Sequence, residues 1–370
     1  MSSTKQHKIL IGGGGTGGHI YPAIAVARAL QEIESTIEIL FVGAEGKMEM
    51  QKIPAAGFKI IGLPVAGIAR KLSAKNFLVP FKFLRSVFMA KKIIRDFKPD
   101  AIIGFGGYAS APLLFASSRK IPLFIHEGNS FAGLTNKWLG KKVRKIFVAH
   151  EGMGKYFPSE KIIITGNPVR RDLVQSSISN EEGKRFFNLN PGRKTILVIG
   201  GSLGARGINH AVGSSFAGWN KNNFQLIWQT GKPQFELLGN LYSNNPSVFI
   251  APFIENMAMA YAAADVIVSR AGAISIAELS LIGKPVILIP SPFVAEDHQT
   301  KNAEELARKE SAIMIHEKEA TEKLGNAVSD ILKQENVAAS LSASIGFFAR
   351  PEADQSIAEE ILSQIKQGGK

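Results

Sequence analysis

Hydrophobic residues along this chain fall into short β-branched runs. Each run stops at glycine or a polar turn, and a longer stretch with helical spacing follows. The first run, Lys8-Ile9-Leu10-Ile11, stops at Gly12, and six glycines fall between Gly12 and Gly18 before an alanine-rich helix predicted over 20–32. Further strands are predicted at 37–42, 58–63, 101–104, 123–126, 146–149 and 162–165. Gly166-Asn167-Pro168 reads as a hinge, after which the plan restarts. A strand at 195–199 leads into Gly200-Gly201-Ser202-Leu203-Gly204 and a helix at 208–216. Strands at 225–228, 248–251, 266–269, 286–289 and 312–315 follow, and helices at 318–334 and 351–367 close the chain. Strands separated by helices imply parallel sheets covered on both faces. The expected fold is therefore α/β with two Rossmann-like halves, 1–166 and 167–350, each with a glycine-rich first turn. The length of 370 residues is also more than one core comfortably serves.

The stretch 76–90, NFLVPFKFLRSVFMA, departs from this plan. Phe77, Phe81, Leu84 and Phe88 would share a helical face, with Lys82, Arg85, Lys91 and Lys92 interleaved. Two readings stand: a core helix with snorkelling lysines, or an interfacial helix on anionic lipid, where each basic residue adds about 1 kcal/mol. It is too short and too charged to span a bilayer.

Charge and composition narrow the chemistry. A net charge of +13 calls for nucleic acid, an anionic membrane or a phosphorylated ligand, unless it is a solvated surface. No RNP, zinc-finger or helix-turn-helix signature is present, so nucleic acid is not the expected partner. Cysteine is absent, which excludes disulfides, thiolate metal sites and a thiol nucleophile, and suits a reducing compartment. The polar start MSSTKQHK leads straight into the first strand with no signal-peptide core, and no apolar run reaches spanning length. The expected location is cytoplasmic.

G-x-G-x-x-G fits twice in the first loop, at Gly12/Gly14/Gly17 and Gly13/Gly15/Gly18. Between a strand and a helix start, such a loop offers amides and a dipole to a phosphate. No Lys-Ser/Thr ends it, so it is not a P-loop. Glu45, after the second strand, is either a ribose-binding acid or a solvated loop acid. His19, Tyr108, Glu127 and Asn129 fall at strand C-terminal ends, where parallel sheets bind ligands. In the second half, Gly272 permits a tight turn and a helix starts at 273, directing amides at a ligand. Glu278, one turn in, accepts ribose hydroxyls or merely complements the helix dipole. Asp297 and Gln299 suit a hydroxyl-rich ligand or act as helix caps. His126-Glu127 is not a zinc motif because position 130 is Ser. No Asp-x-Asp motif is placed for sugar-nucleotide work, so neither a metal nor another cofactor is expected.

Thr16-Gly17-Gly18-His19, GFGGYASAP at 104–112, His126-Glu127-Gly128-Asn129, GNPVR at 166–170, GGSLGA at 200–205, residues 270–278 and DHQTKN at 297–302 occur in this order. Together, over nearly the whole chain, they strongly resemble the MurG family of N-acetylglucosaminyltransferases. The resemblance implies a GT-B fold, two Rossmann-like domains facing each other across a cleft, with helix 351–368 packing back on the first. It implies UDP-N-acetylglucosamine in the second half, and undecaprenyl-pyrophosphoryl-N-acetylmuramyl-pentapeptide in the first. By motif position, Glu278 holds the ribose, Ala273, Ile274 and Ser275 present amides, and Ile254 lies against uracil. Ser202 and Arg170 reach the phosphates, and Gln299 and Asn129 reach the sugar. Thr16, Gly17 and Gly18 line the opposite side. Gly14, Gly15, Gly106, Gly107, Tyr108 and His126 are the implied acceptor residues. The family usually has Gln where this chain has Gly128, which bears on an acceptor contact.

The implied reaction is an inverting displacement at the anomeric carbon, with an oxocarbenium-like transition state, converting lipid I to lipid II in peptidoglycan synthesis. His19 is the candidate base, unless it binds a phosphate or caps the loop, and Glu127 is the rival base. A prenyl acceptor stays in the bilayer, so Phe77, Phe81, Lys82, Arg85 and Phe88 are expected to dock peripherally on the anionic cytoplasmic face of the inner membrane. Other cell-wall synthesis and division proteins are the partners such a role implies. Two alternatives remain: another GT-B UDP-sugar transferase with a lipid acceptor, and an NAD-dependent oxidoreductase. The oxidoreductase leaves the second glycine loop and 270–278 unexplained.

Overall fold

The computed structural model describes residues 6–65, 79–107, 109–118, 120–170, 173, 177–201, 204–294 and 297–368. Phe77, Tyr108 and Ser202, three of the expected site residues, lie outside these. The chain forms two compact units, Met1–Arg170 with Arg350–Lys370, and Arg171–Ala349.

The first unit is built on β1 (Lys8–Gly12), β2 (Glu38–Ala44), β3 (Lys59–Leu63), β4 (Ala101–Gly104), β5 (Leu123–Glu127), β6 (Lys145–Val148) and β7 (Ile162–Ile164). They form one seven-stranded sheet in the order β3-β2-β1-β4-β5-β6-β7, and every neighbouring pair is parallel. Successive side chains of a strand point to opposite faces. Ile9 and Ile11 thus join one core with Phe41, Ile103, Phe124 and Phe147, whereas Leu10 joins a second with Val42, Ile102, Ile125 and Ile146. Both cores need apolar residues, which is why the strands read as continuous hydrophobic runs. Helix Gly17–Ile33 covers the first face beside the C-terminal helix Ala353–Gly368, whose Ile357, Ile361 and Ile365 enter the same core.

The second unit holds β8 (Thr195–Ile199), β9 (Gln225–Gln229), β10 (Val248–Ala251), β11 (Val266–Ser269), β12 (Val286–Leu288) and β13 (Ile313–Met314). Their order is β10-β9-β8-β11-β12-β13, again all parallel. Helices Arg206–Lys221 and Ala320–Lys333 cover one face, and Met257–Ala263 and Ala273–Ile282 the other. In each sheet the connection reverses beside the first strand of the unit, between β1 and β4 and between β8 and β11. A crevice opens at the carboxyl ends of strands at such a reversal, and ligands bind there.

Several boundaries differ from the sequence expectation. The first helix starts at Gly17 rather than 20, because Thr16 O already accepts from His19 N and Ile20 N, and Pro22 lies inside the helix. The expected helix 318–334 is a 3-10 turn, Glu317–Glu319, followed by Ala320–Lys333. Gln334 is extended, and an unanticipated helix, Glu335–Gly346, begins after it. Helix Val79–Phe97 is not the core helix of the first reading: Ser86, Ala90 and Ile93 are buried, while Phe81, Leu84 and Phe88 are 72%, 55% and 68% exposed. Among the described residues, no helix is long and apolar enough to cross a membrane.

Candidate active site

In the first unit, Gly12 and Gly104 are register partners at the ends of β1 and β4, so the two glycine loops leave the sheet side by side. The first loop already contains an anion. Glu49, on helix Glu49–Ala55, is fully buried, and its carboxylate accepts from Gly15 N and Ala44 N, both at 2.9 Å. The amide of Gly15, expected to await a phosphate, is spent on this side chain. Glu45 is an exposed loop acid.

His19 is half-buried in the first turn of helix Gly17–Ile33, and its ring lies against Gly106. Nδ1 lies 3.1 Å from Gly14 O and 3.2 Å from Thr16 Oγ1. A carbonyl oxygen only accepts, so Nδ1 carries the proton of the neutral ring and Nε2 is the basic nitrogen. His126 has the opposite tautomer: its Nε2 donates to Gly166 O at 3.3 Å. Its ring is buried and lies 5.3 Å from the Phe105 ring centroid. Burial lowers its pKa from 6.5 to about 4, against the opposing Gly166 hydrogen bond, and His19 lowers it further. His126, expected as an acceptor ligand, is thus a buried residue whose Nε2 is held by Gly166 O.

Glu127 is also buried. Its Oε1 accepts from the backbone N and the Nδ2 of Asn129, both at 3.2 Å, and its Oε2 accepts from Gly133 N and Asn136 Nδ2, both at 2.9 Å. Four donors occupy the carboxylate and fix the loop from 127 to 136. The absent side chain at Gly128 has a neighbour in its place. A Cβ there would come within 2.5 Å of Asn167 Oδ1, and Asn167 Nδ2 donates to Gly128 O at 3.0 Å.

In the second unit, Ile199 and Ser269 are register partners at the ends of β8 and β11. Gln229, at the end of β9, ties the surrounding loops together. Its Nε2 donates to Gly201 O and its Oε1 accepts from Ile254 N, both at 2.9 Å. The Ile254 side chain is buried in the core. Helix Ala273–Ile282 follows Gly272, which as N-cap residue offers no side chain of its own to the first turn. Such a helix end directs its first-turn amides and a positive dipole end toward the carboxyl ends of the strands. One turn on, Glu278 accepts from Tyr261 Oη at 3.0 Å, an orientation set by a buried tyrosine. Arg270 is not directed at a ligand: it donates to Ile289 O and Pro290 O at 3.0 and 3.1 Å and pairs with Glu317 at 2.5 Å. Asn302 Nδ2 donates to Ala271 O at 3.2 Å, so both flanks of the turn before the helix are fixed. Gln299 Oε1 accepts from Ser291 N at 2.9 Å, and its Nε2 makes no hydrogen bond with the described residues. Asp297 does not cap the helix through its side chain, which accepts from Thr300 Oγ1 at 2.6 Å.

The structure thus gathers Gly14, Gly15, Thr16, Gly17, Gly18, His19, Gly106 and Gly107 at the β1–β4 reversal. It gathers Ala273, Ile274, Ser275 and Glu278 at the β8–β11 reversal. Arg170 closes the first unit's main segment. Sequence reasoning missed Glu49, Gln229, Tyr261 and Asn136. The signal for Glu49 was an acid after β2, which was assigned to Glu45. Gln229 showed as a polar residue ending an apolar strand.

Two family models match the chain: the Glycosyltransferase family 28 N-terminal domain over residues 9–148, and the Glycosyltransferase family 28 C-terminal domain over 195–360. The UDP-N-acetylglucosamine--N-acetylmuramyl-(pentapeptide) pyrophosphoryl-undecaprenol N-acetylglucosamine transferase of Cytophaga hutchinsonii is 49% identical over 366 residues, 99% of each chain. The protein of that name from Phocaeicola vulgatus is 50% identical over 363 residues, 96% of each. Among solved structures, MurG of Acinetobacter baumannii aligns over 97% of this chain and 100% of its own, with a TM-score of 0.77 and 29% identity. A UDP-GlcNAc 2-epimerase from Neisseria meningitidis, bound to UDP-GlcNAc, shares the fold at a TM-score of 0.68 and 17% identity over 96% of this chain and 100% of its own. The fold is GT-B, and the chain belongs to glycosyltransferase family 28 and, within it, to the MurG family of N-acetylglucosamine transferases.

Proposed function

We propose that this protein transfers N-acetylglucosamine from UDP-N-acetylglucosamine to the 4-hydroxyl of N-acetylmuramyl-pentapeptide on undecaprenyl pyrophosphate, the lipid I to lipid II step of peptidoglycan synthesis. The observation that carries it is the N-terminus of helix Ala273–Ile282 at the sheet reversal, with Glu278 held by Tyr261 one turn on. A pyrophosphate suits the amides and a ribose suits the carboxylate. Near-full-length relatedness to transferases named for this reaction supports the same reading.

As the anomeric bond breaks, the departing UDP gathers negative charge. The positive end of the helix dipole at Ala273, Ile274 and Ser275 stabilises that charge from a fixed position, and a position set in advance needs no reorganisation. Arg170 and Ser202 are assigned to the phosphates, Ile254 to uracil, and Gln299 Nε2 and Asn129 to the sugar. Thr16, Gly17 and Gly18 line the acceptor side of the donor. Gly14, Gly15, Gly106, Gly107 and Tyr108 border the acceptor. The base is His19 Nε2, whose tautomer is set by Gly14 O. Glu127 is the poorer base on geometry, because its oxygens are engaged by four donors of its own loop.

The prenyl tail of the acceptor stays in the bilayer, so the enzyme must work at its surface. Phe81, Leu84 and Phe88 face outward, flanked by exposed Lys82, Arg85, Lys91 and Lys92. Phe83, Phe115 and Trp138 form an aromatic chain, with centroids 5.7 and 5.1 Å apart, that joins this stripe to the exposed Trp138 and Leu134. This face is assigned to the anionic cytoplasmic leaflet.

The test is UDP release with a lipid I analogue, UDP-N-acetylglucosamine being set against UDP-glucose. Turnover with the first and little with the second is expected, and equal rates refute the donor assignment. At saturating donor, His19→Ala should lose about a hundredfold or more in kcat, the range of general-base catalysis. A near-normal rate removes His19 from that role.

A further inference from the structure

The buried carboxylate of Glu49 has no part in the reaction as described, yet it sits directly behind the candidate base. The Gly14–Gly15 peptide is held from two sides. On one, a Cβ at Gly14 would lie 2.1 Å from Glu49 Oε1, so only glycine admits the carboxylate, and Gly15 N donates to Glu49 Oε2 at 2.9 Å. On the other, Gly107 packs so tightly that a Cβ there would lie 2.1 Å from Gly14 O. Gly14 O is the acceptor that takes the Nδ1 proton of His19 at 3.1 Å. Glu49 is anchored in turn by Ala44 N at the end of β2, a rigid and fully buried position.

We propose that Glu49 is a positioning residue for His19. It fixes the Gly14–Gly15 peptide so that Gly14 O captures the Nδ1 proton and the ring presents Nε2 as its basic atom. No direct contact between the two side chains is needed. The carboxylate works through one peptide unit, whose two ends are bound to Glu49 and to His19. The catalytic consequence rests on the proposed base role of His19, but the geometric claim does not. In Glu49→Gln one of the two backbone donors, Ala44 N or Gly15 N, meets an NH2 group and loses its acceptor.

Long-range 15N–1H NMR of the full-length protein reads the His19 tautomer without activity. The neutral wild-type ring should show the proton on Nδ1, and a proton on Nε2 overturns the proposal with no variant required. In Glu49→Gln the Nδ1 form should lose its dominance, and an unchanged tautomer and ring shifts also overturn it. In kinetics, Glu49→Gln should lower kcat about tenfold to a hundredfold, the usual effect of a misplaced catalytic group, while donor KM stays within about twofold. The acid limb of its kcat–pH profile should move, and Glu49→Asp should recover part of the rate. Added to His19→Ala, Glu49→Gln should cost nothing more; losses that multiply mean Glu49 acts elsewhere. If His19→Ala keeps its rate while the tautomer responds to Glu49, the base assignment fails and the positioning contact stands.

Discussion

Replacing Glu278 by Ala tests the proposed contact between this carboxylate and the donor ribose. The carboxylate is oriented by the Tyr261 hydroxyl at 3.0 Å, so under the proposed assignment it would meet the ribose already aimed. A hydrogen bond to a charged acceptor contributes about 1.5–3 kcal/mol, and about 1.4 kcal/mol is tenfold in affinity. UDP should therefore bind Glu278→Ala about 10- to 150-fold more weakly than wild type in calorimetric titration. The ribose assignment adds a sharper signature: wild type should prefer UDP to 2′-deoxy-UDP, and the variant should bind both alike. Tyr261→Phe leaves the carboxylate but removes its orienting donor, and should weaken UDP by about 2- to 12-fold, the worth of one ordinary hydrogen bond. In the Glu278→Ala background the same change should have no effect on UDP. Wild-type UDP affinity in a folded Glu278→Ala protein, or equal wild-type affinity for UDP and its 2′-deoxy form, refutes the reasoning.

The remaining expectations concern stability and membrane attachment. His126 is neutral in the native state, with its pKa lowered to about 4, and titrates near 6.5 when unfolded. Protons then favour the unfolded chain as pH falls. Stability is intact above 6.5 and falls by up to about 3 kcal/mol as pH reaches about 4. His126→Gln, neutral throughout, should show a smaller drop in urea-unfolding free energy between pH 7 and roughly 4.5, and parallel curves would count against this. Phe81→Ala with Lys82→Glu should weaken co-sedimentation with anionic vesicles by about 3–5 kcal/mol, combining one aromatic burial with a charge reversal. Binding should also fall with added salt, and unchanged co-sedimentation of the double variant removes this face from the interface.

The order of strands, glycine loops and helices is local information, and it was sufficient to fix two parallel α/β folds. A strand buried on both faces must be apolar throughout, and a chain that turns sharply at its end must use glycine. The same pattern located the helix start just after Gly272 and the placement of Glu278 one turn beyond. Packing decided what the loops do. Glu49 reaches Gly15 from 34 positions away, and Tyr261 reaches Glu278 from 17. Neither distance is visible in a periodicity that reports only which face a residue shares with its near neighbours. The first glycine loop therefore looked like an empty anion site, yet part of it was filled by the protein's own carboxylate. In the sequence His126 stands only as an implied acceptor residue and Glu127 as a rival base. Burial and four converging donors were needed to separate a buried histidine and a loop organiser from the nearby imidazole that retains a basic nitrogen. The apolar stripe of Phe81, Leu84 and Phe88 has the spacing of a core face, and only the fold, by placing Ala90 and Ile93 inward, turned it to the outside. Which of two apolar faces is buried depends on what stands opposite, and that is a property of the assembled sheet.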